Sequence, residues 1–91
     1  MREIRLSGRE VLVVRILGFA LGQTGAELME NTKLDAEQLG DVLNGLISAG
    51  YVESVPYTET VTPESLLGMT FETNPSFAHE LKMSINKGRG R

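Results

Sequence analysis

At 91 residues, 41% apolar and 23% charged, with a net charge of −3, the chain supports one modest hydrophobic core and is too short for two. It contains no cysteine, which excludes a disulfide framework and a thiolate metal site and fits a reducing cytoplasm, the expected location. No apolar run approaches the roughly 20 residues of a membrane span, and Met1 to Leu6 does not read as a secretory leader, so no membrane partner is expected.

In chain order, Ser7-Gly8-Arg9-Glu10 is a capping box, in which the cap hydroxyl and the carboxylate three residues on each accept an amide that the helix leaves free. The helix it opens is predicted to run from Val11 to Leu21, with only Arg15 and Gly18 breaking the apolar residues. A helix apolar on nearly all sides either packs on two sides within its own domain or lends a face to a second copy. The first and last helices are therefore the candidate homodimer contact. Thr24-Gly25-Ala26-Glu27 is a second capping box, opening a helix of roughly two turns that ends near Asn31. After a turn from Asn31 to Leu34, Asp35 and Gln38 form a third box. The helix that follows is the best specified. Leu39, Val42, Leu43, Leu46 and Ile47 make one apolar stripe, and Gly50 stands where a left-handed terminal residue is wanted. Two helices joined so tightly leave the face opposite that stripe free for a partner. That face carries Glu37, Gln38, Asp41, Asn44 and Ser48.

Val52-Glu53-Ser54-Val55 alternates as a half-buried strand does, and Pro56 ends it. Met69-Thr70-Phe71-Glu72-Thr73 alternates again and is predicted to return antiparallel, with Met69 and Phe71 turned to the core. The segment between, Tyr57 to Gly68, is long for a hairpin and reads as a wing. Within it Thr62-Pro63-Glu64 looks like the start of a helical turn ahead of Leu66 and Leu67. Those two leucines either fold back onto the domain or protrude as a wing contact. Asn74 and Pro75 open a last helix whose buried face is Phe77, Ala78, Leu81 and Ile85, packed near the first helix. The tail, Lys87-Gly88-Arg89-Gly90-Arg91, is basic and glycine-broken and is expected to be disordered. Residues 1–86 then form a single domain.

Thr24-Gly25-Ala26-Glu27-Leu28, the spacing to Leu39-x-x-Val42-Leu43-x-x-Leu46, and Ala49-Gly50-Tyr51-Val52-Glu53 together resemble the winged helix-turn-helix superfamily. The likeness covers residues of about 7 to 86. It implies a mainly α fold with a small antiparallel β wing, in the order α-α-α-β-β-α. It also implies a transcription regulator that binds DNA through its third helix. The closing run Phe71-Glu72-Thr73-Asn74-Pro75-Ser76-Phe77 is similar to one winged-helix unit of bacterial segregation and condensation protein B. That likeness implies a protein-interaction module instead.

Charge divides these two readings. From Leu34 through Leu81 there is no lysine or arginine, while Asp35, Glu37, Asp41, Glu53, Glu59, Glu64, Glu72 and Glu80 are all acids. Duplex affinity comes largely from cations that neutralise phosphates. Of the exposed face of the third helix, only Asn44 is an obvious base reader. DNA docking in the usual way is therefore disfavoured. The cations lie at the ends instead. Arg2, Arg5, Arg9, Arg15, Lys33, Lys82, Lys87, Arg89 and Arg91 are the candidate nucleic-acid patch, or else simply solvated termini. His79 is the one histidine and is predicted on the exposed side of the last helix. No nucleophile triad, phosphate loop or metal-ligand spacing appears. A protein without catalytic residues, cofactor or metal is expected.

Overall fold

The computed structural model describes residues 4–89, with side chains up to residue 86. Residues 1–3 and 90–91 lie outside it, and so do the expectations that fall on them.

All three capping boxes form. The Ser7 hydroxyl accepts from the Glu10 amide at 3.3 Å and the Glu10 carboxylate accepts from the Ser7 amide at 2.8 Å. This reciprocal pair starts helix α1, Gly8–Leu17. The helix ends four residues earlier than its apolar run suggested. Gly18 takes a φ of 74° with extended ψ, a conformation that glycine adopts without strain, and its amide bonds back to the Val14 carbonyl. The Ile16 and Gly18 carbonyls, which the helix cannot pair, accept from the Gln23 side-chain amide and the Thr73 hydroxyl, each at 2.7 Å. Leu21, predicted within this helix, instead stands 84% exposed in the following loop.

Gln23 and Thr24 form a short strand, β1, which the expected order α-α-α-β-β-α lacks. Thr24 then caps helix α2, Gly25–Thr32, through its box with Glu27. Lys33 closes α2 in the left-handed conformation, φ 65°. The Thr32 hydroxyl bridges this turn, donating to the Leu28 carbonyl at 2.7 Å and accepting from the Leu34 amide at 3.3 Å. Asp35 caps helix α3, Ala36–Ser48, with Gln38 as its reciprocal partner. Gly50 follows it at φ 86°.

Strands β2, Val52–Val55, and β3, Thr70–Thr73, pair antiparallel in the register Val52 with Thr73 and Val55 with Thr70. β1 joins the other edge of β3. The sheet is thus three-stranded and antiparallel in the order β1-β3-β2, leaving β2 as an edge. The long connection contains a 3-10 turn at Leu66–Gly68. A second 3-10 turn, Pro75–Phe77, is capped by Asn74 and leads into helix α4, Ala78–Arg89. The observed order is α1-β1-α2-α3-β2-β3-α4, a mainly helical chain with a small sheet.

The core forms where the apolar stripe of α3 meets α1, the inner face of the sheet and α4. Leu39, Val42, Leu43 and Leu46 are buried, as are Val13, Val14 and Leu17 from α1, Met69 and Phe71 from the β3 side, and Leu81 and Ile85 from α4. Phe77 is half-buried and meets Tyr51 edge-on, with ring centroids 5.2 Å apart. α1 packs against α2, α3, α4 and β3. Val13, Val14 and Leu17 of this helix are buried, Val11, Leu12 and Ile16 are half-buried, and Gly8, Arg9 and Arg15 are exposed. Among the described residues no helix is long and apolar enough to cross a membrane.

Candidate interaction surface

Five residues of α3 were expected to share one open face. The structure separates them. Glu37, Asp41 and Ser48 are exposed. Gln38 is half-buried and accepts the Asp35 amide, so its side chain belongs to the helix cap. Asn44, in the middle of the face, is held at both ends of its amide. Its Oδ1 accepts from the Val61 amide at 2.7 Å and its Nδ2 donates to the Val61 carbonyl at 3.1 Å. That is a correction to the sequence reading, in which Asn44 was the free base reader. It instead mimics a strand partner for the connecting loop.

Val61 itself is buried, and the chain beyond it turns through a reciprocal pair, Thr62 and Ser65, before Leu66. The two leucines part company here. Leu66 is 0% exposed and lies between α2 and α3: its carbonyl rests on Gly25, and a Cβ on Gly40 would sit 3.5 Å from its Cδ2. Of the two alternatives for this residue, Leu66 takes the one that folds back onto the domain, and a buried side chain is not available as a wing contact. Leu67 is 46% exposed and stays available. The connecting loop is thus pinned to α3 at Asn44 and plugged into the helix pair by Leu66.

Pinning the loop encloses a groove of about 730 Å³ beside the second half of α3. One wall is α3, through Asn44, Ile47 and Ser48. The floor and far wall are all four residues of β2, with Tyr57 to Thr60 folding over the end. That fold-over is organised by Ser54, whose hydroxyl donates to the Pro56 carbonyl and accepts the Thr58 amide. Glu53, Glu59 and Glu72 all line the groove and all are exposed. Val55, 57% exposed, and Tyr57, 79% exposed, stand among them. Sequence reasoning missed this groove. Its acids were visible, but the loop path that gathers them rests on the Ser54 hydroxyl and on the Asn44 contact to Val61, and the second has no local signature.

Of the cations, Arg5, Arg9, Arg15 and Lys82 are exposed on α1, its approach and α4, two helices in contact. Lys82 sits with its ammonium 5.2 Å from the centre of the Phe19 ring, a cation–π contact. Lys33 lies apart in the α2–α3 turn. Arg2 and Arg91, and the side chains of Lys87 and Arg89, lie outside the described residues. His79 is exposed. Among the described residues no three histidine, cysteine or acidic side chains are placed to hold a metal ion.

No protein-family model matches the chain, and no curated protein or solved structure matches it either.

Proposed function

We propose that this chain is a non-enzymatic winged-helix module that binds a protein partner through the acidic surface formed by α3, β2 and the loop after β2. The winged-helix part of the reading is supported by the order of elements, by β1 pairing with β3 beside the β2–β3 hairpin, and by the long loop folded against α3. The choice of protein over DNA rests on one observation. Asn44, the only residue on the α3 face suited to reading a base edge, has its amide occupied by the Val61 backbone. The remaining exposed acids, Glu37 and Asp41, would lie beside phosphates in a major groove and repel them. A cationic or mixed protein surface meets the same face without that penalty. A DNA-binding regulator is the second reading, and it would use the exposed Arg5, Arg9, Arg15 and Lys82.

Two measurements, one in the producing cell and one on the purified chain, test the choice. A photo-crosslinking residue placed at Asp41 in the producing cell is expected to trap a discrete protein partner that the same residue at Arg15 does not. Anisotropy with a mixed DNA duplex across a salt series is expected to show no binding near physiological salt. Tight binding that weakens steeply with salt and is lost in Arg9→Glu with Arg15→Glu would overturn the protein reading.

A further inference from the structure

β2 is an edge strand, and the other side of that edge is the acidic groove. Outside its ladder with β3, none of Val52 to Val55 makes a backbone hydrogen bond to the described residues around it. Alternate amides and carbonyls on that edge of β2 therefore have no backbone partner among the described residues. Edge strands left open in this way are commonly protected by lysine, proline within the strand, or a covering segment. Here the segment Tyr57 to Thr60 folds over one end, and all four strand residues line the groove, Glu53 and Val55 exposed and Val52 and Ser54 buried.

The side chains beside that edge break a pairing rule. Glu53 and Glu72 are directly opposite each other in the β2–β3 register. Like charges in that position destabilise a hairpin, and no lysine or arginine occurs between Leu34 and Leu81 to lie between them. Glu59 brings a third carboxylate to the same groove. Val55 and Tyr57 supply exposed apolar surface next to these acids.

We propose that this edge accepts an extended, basic segment of a partner protein as a fourth strand. The segment's backbone pairs with β2. Its side chains on the face of Glu53 and Val55, at alternate positions, are lysine or arginine, whose charged heads reach Glu53, Glu72 and Glu59 while their apolar stems cover Val55 and Tyr57. Main-chain pairing supplies affinity in this mode, and the alternating side chains supply selectivity. This inference rests on the protein-binding reading and deepens it by assigning the β2 edge of that surface, whereas the reading itself is tested at Asp41 on α3, so the two fail separately.

Selection of random displayed heptapeptides on the full chain tests it. Enrichment of lysine or arginine at alternating positions, with proline depleted from the centre, is expected. The best selected peptide is then measured by anisotropy. Glu53→Lys with Glu72→Lys is expected to weaken it about tenfold or more, with the thermal midpoint unchanged or raised. A central proline in the peptide is expected to abolish binding, and amide exchange at β2 is expected to slow in the complex. Enrichment of acidic sequences, or of helical apolar spacing, or no enrichment at all, would overturn the proposal. So would equal binding of the proline peptide. Light scattering of the free protein settles the remaining occupant: a dimer that dissociates in Glu53→Lys with Glu72→Lys would assign the edge to a second copy and overturn a foreign partner. Trapping at Asp41 without peptide binding would leave the function standing and remove this inference alone.

Discussion

Asn44 holds two backbone groups of Val61 from seventeen residues away, and removing its amide leaves both groups without a protein partner. An unpaired, partly buried backbone group costs about 1–3 kcal/mol. Asn44→Ala is therefore expected to destabilise the fold by about 2 kcal/mol and to speed exchange of the Val61 amide. Asn44→Asp keeps the acceptor and should lose less. Equal exchange in all three proteins would contradict the contact. Lys33 offers a prediction of opposite sign. Its left-handed φ of 65° costs a residue with a Cβ about 1–2 kcal/mol, whereas glycine there costs about 0.5–1 kcal/mol in unfolded-chain entropy. Lys33→Gly should raise the urea midpoint at constant slope, by about 0.5 kcal/mol in stability. What was legible at this scale was what is local. Each capping box joins residues three apart, and the spacing alone displays it. Asn44 and Val61 are tied by no spacing rule, so a residue that looked like a base reader proved to be a loop anchor.

Elements show the same division. The stripe on α3, the paired strands β2 and β3 and the inner face of α4 repeat with helical or strand period; Leu39, Val42, Leu43, Leu46, Leu81 and Ile85 are buried as that period placed them, while Ile47, Phe77 and Ala78 are half-buried and Phe77 falls in the turn before α4. β1 could not be found this way, because two residues have no period; it pairs with the free edge of β3, and Gly25 just after it lets the Leu66 backbone approach closely. The Gly25 amide donates to the Met69 carbonyl at 3.0 Å. A Cβ at Gly25 would overlap the Leu66 carbonyl, which is backbone and cannot swing aside. Gly25→Ala is accordingly expected to cost about 2–3 kcal/mol, with chemical-shift changes concentrated at β1, Leu66 and Thr70. Gly8→Ala is the matched control. Nothing lies within 4 Å of its added methyl, and alanine is the better helix former by about 1 kcal/mol. If both variants melt alike, Leu66 does not rest on α2 as described.

Across the whole molecule, charge is sorted by position rather than by element type. Apart from Lys33 in the α2–α3 turn, the exposed cations among the described residues occupy the α1 and α4 side, while every described acid from Asp35 to Glu72 is exposed on the α3, sheet and loop side. The first acid of α3 has a structural use, since a carboxylate in the first turn, here Glu37, complements the helix dipole. Asp41 has none of that benefit and repels Glu37 one turn away, by about 0.2–0.5 kcal/mol. This leads to a test by reversal. Glu37→Lys with Asp41→Lys should destabilise α3 by roughly 0.3–1 kcal/mol through the dipole, yet raise nonspecific affinity for a DNA duplex, because two repulsive groups become two phosphate contacts. Each added contact should steepen the salt dependence by about one unit of logarithmic slope. The readout is duplex anisotropy over a salt series for the double variant and the original chain. An unchanged or lower affinity would mean that this face cannot approach a duplex at all, and the pinned loop, rather than charge, would then be what keeps DNA away.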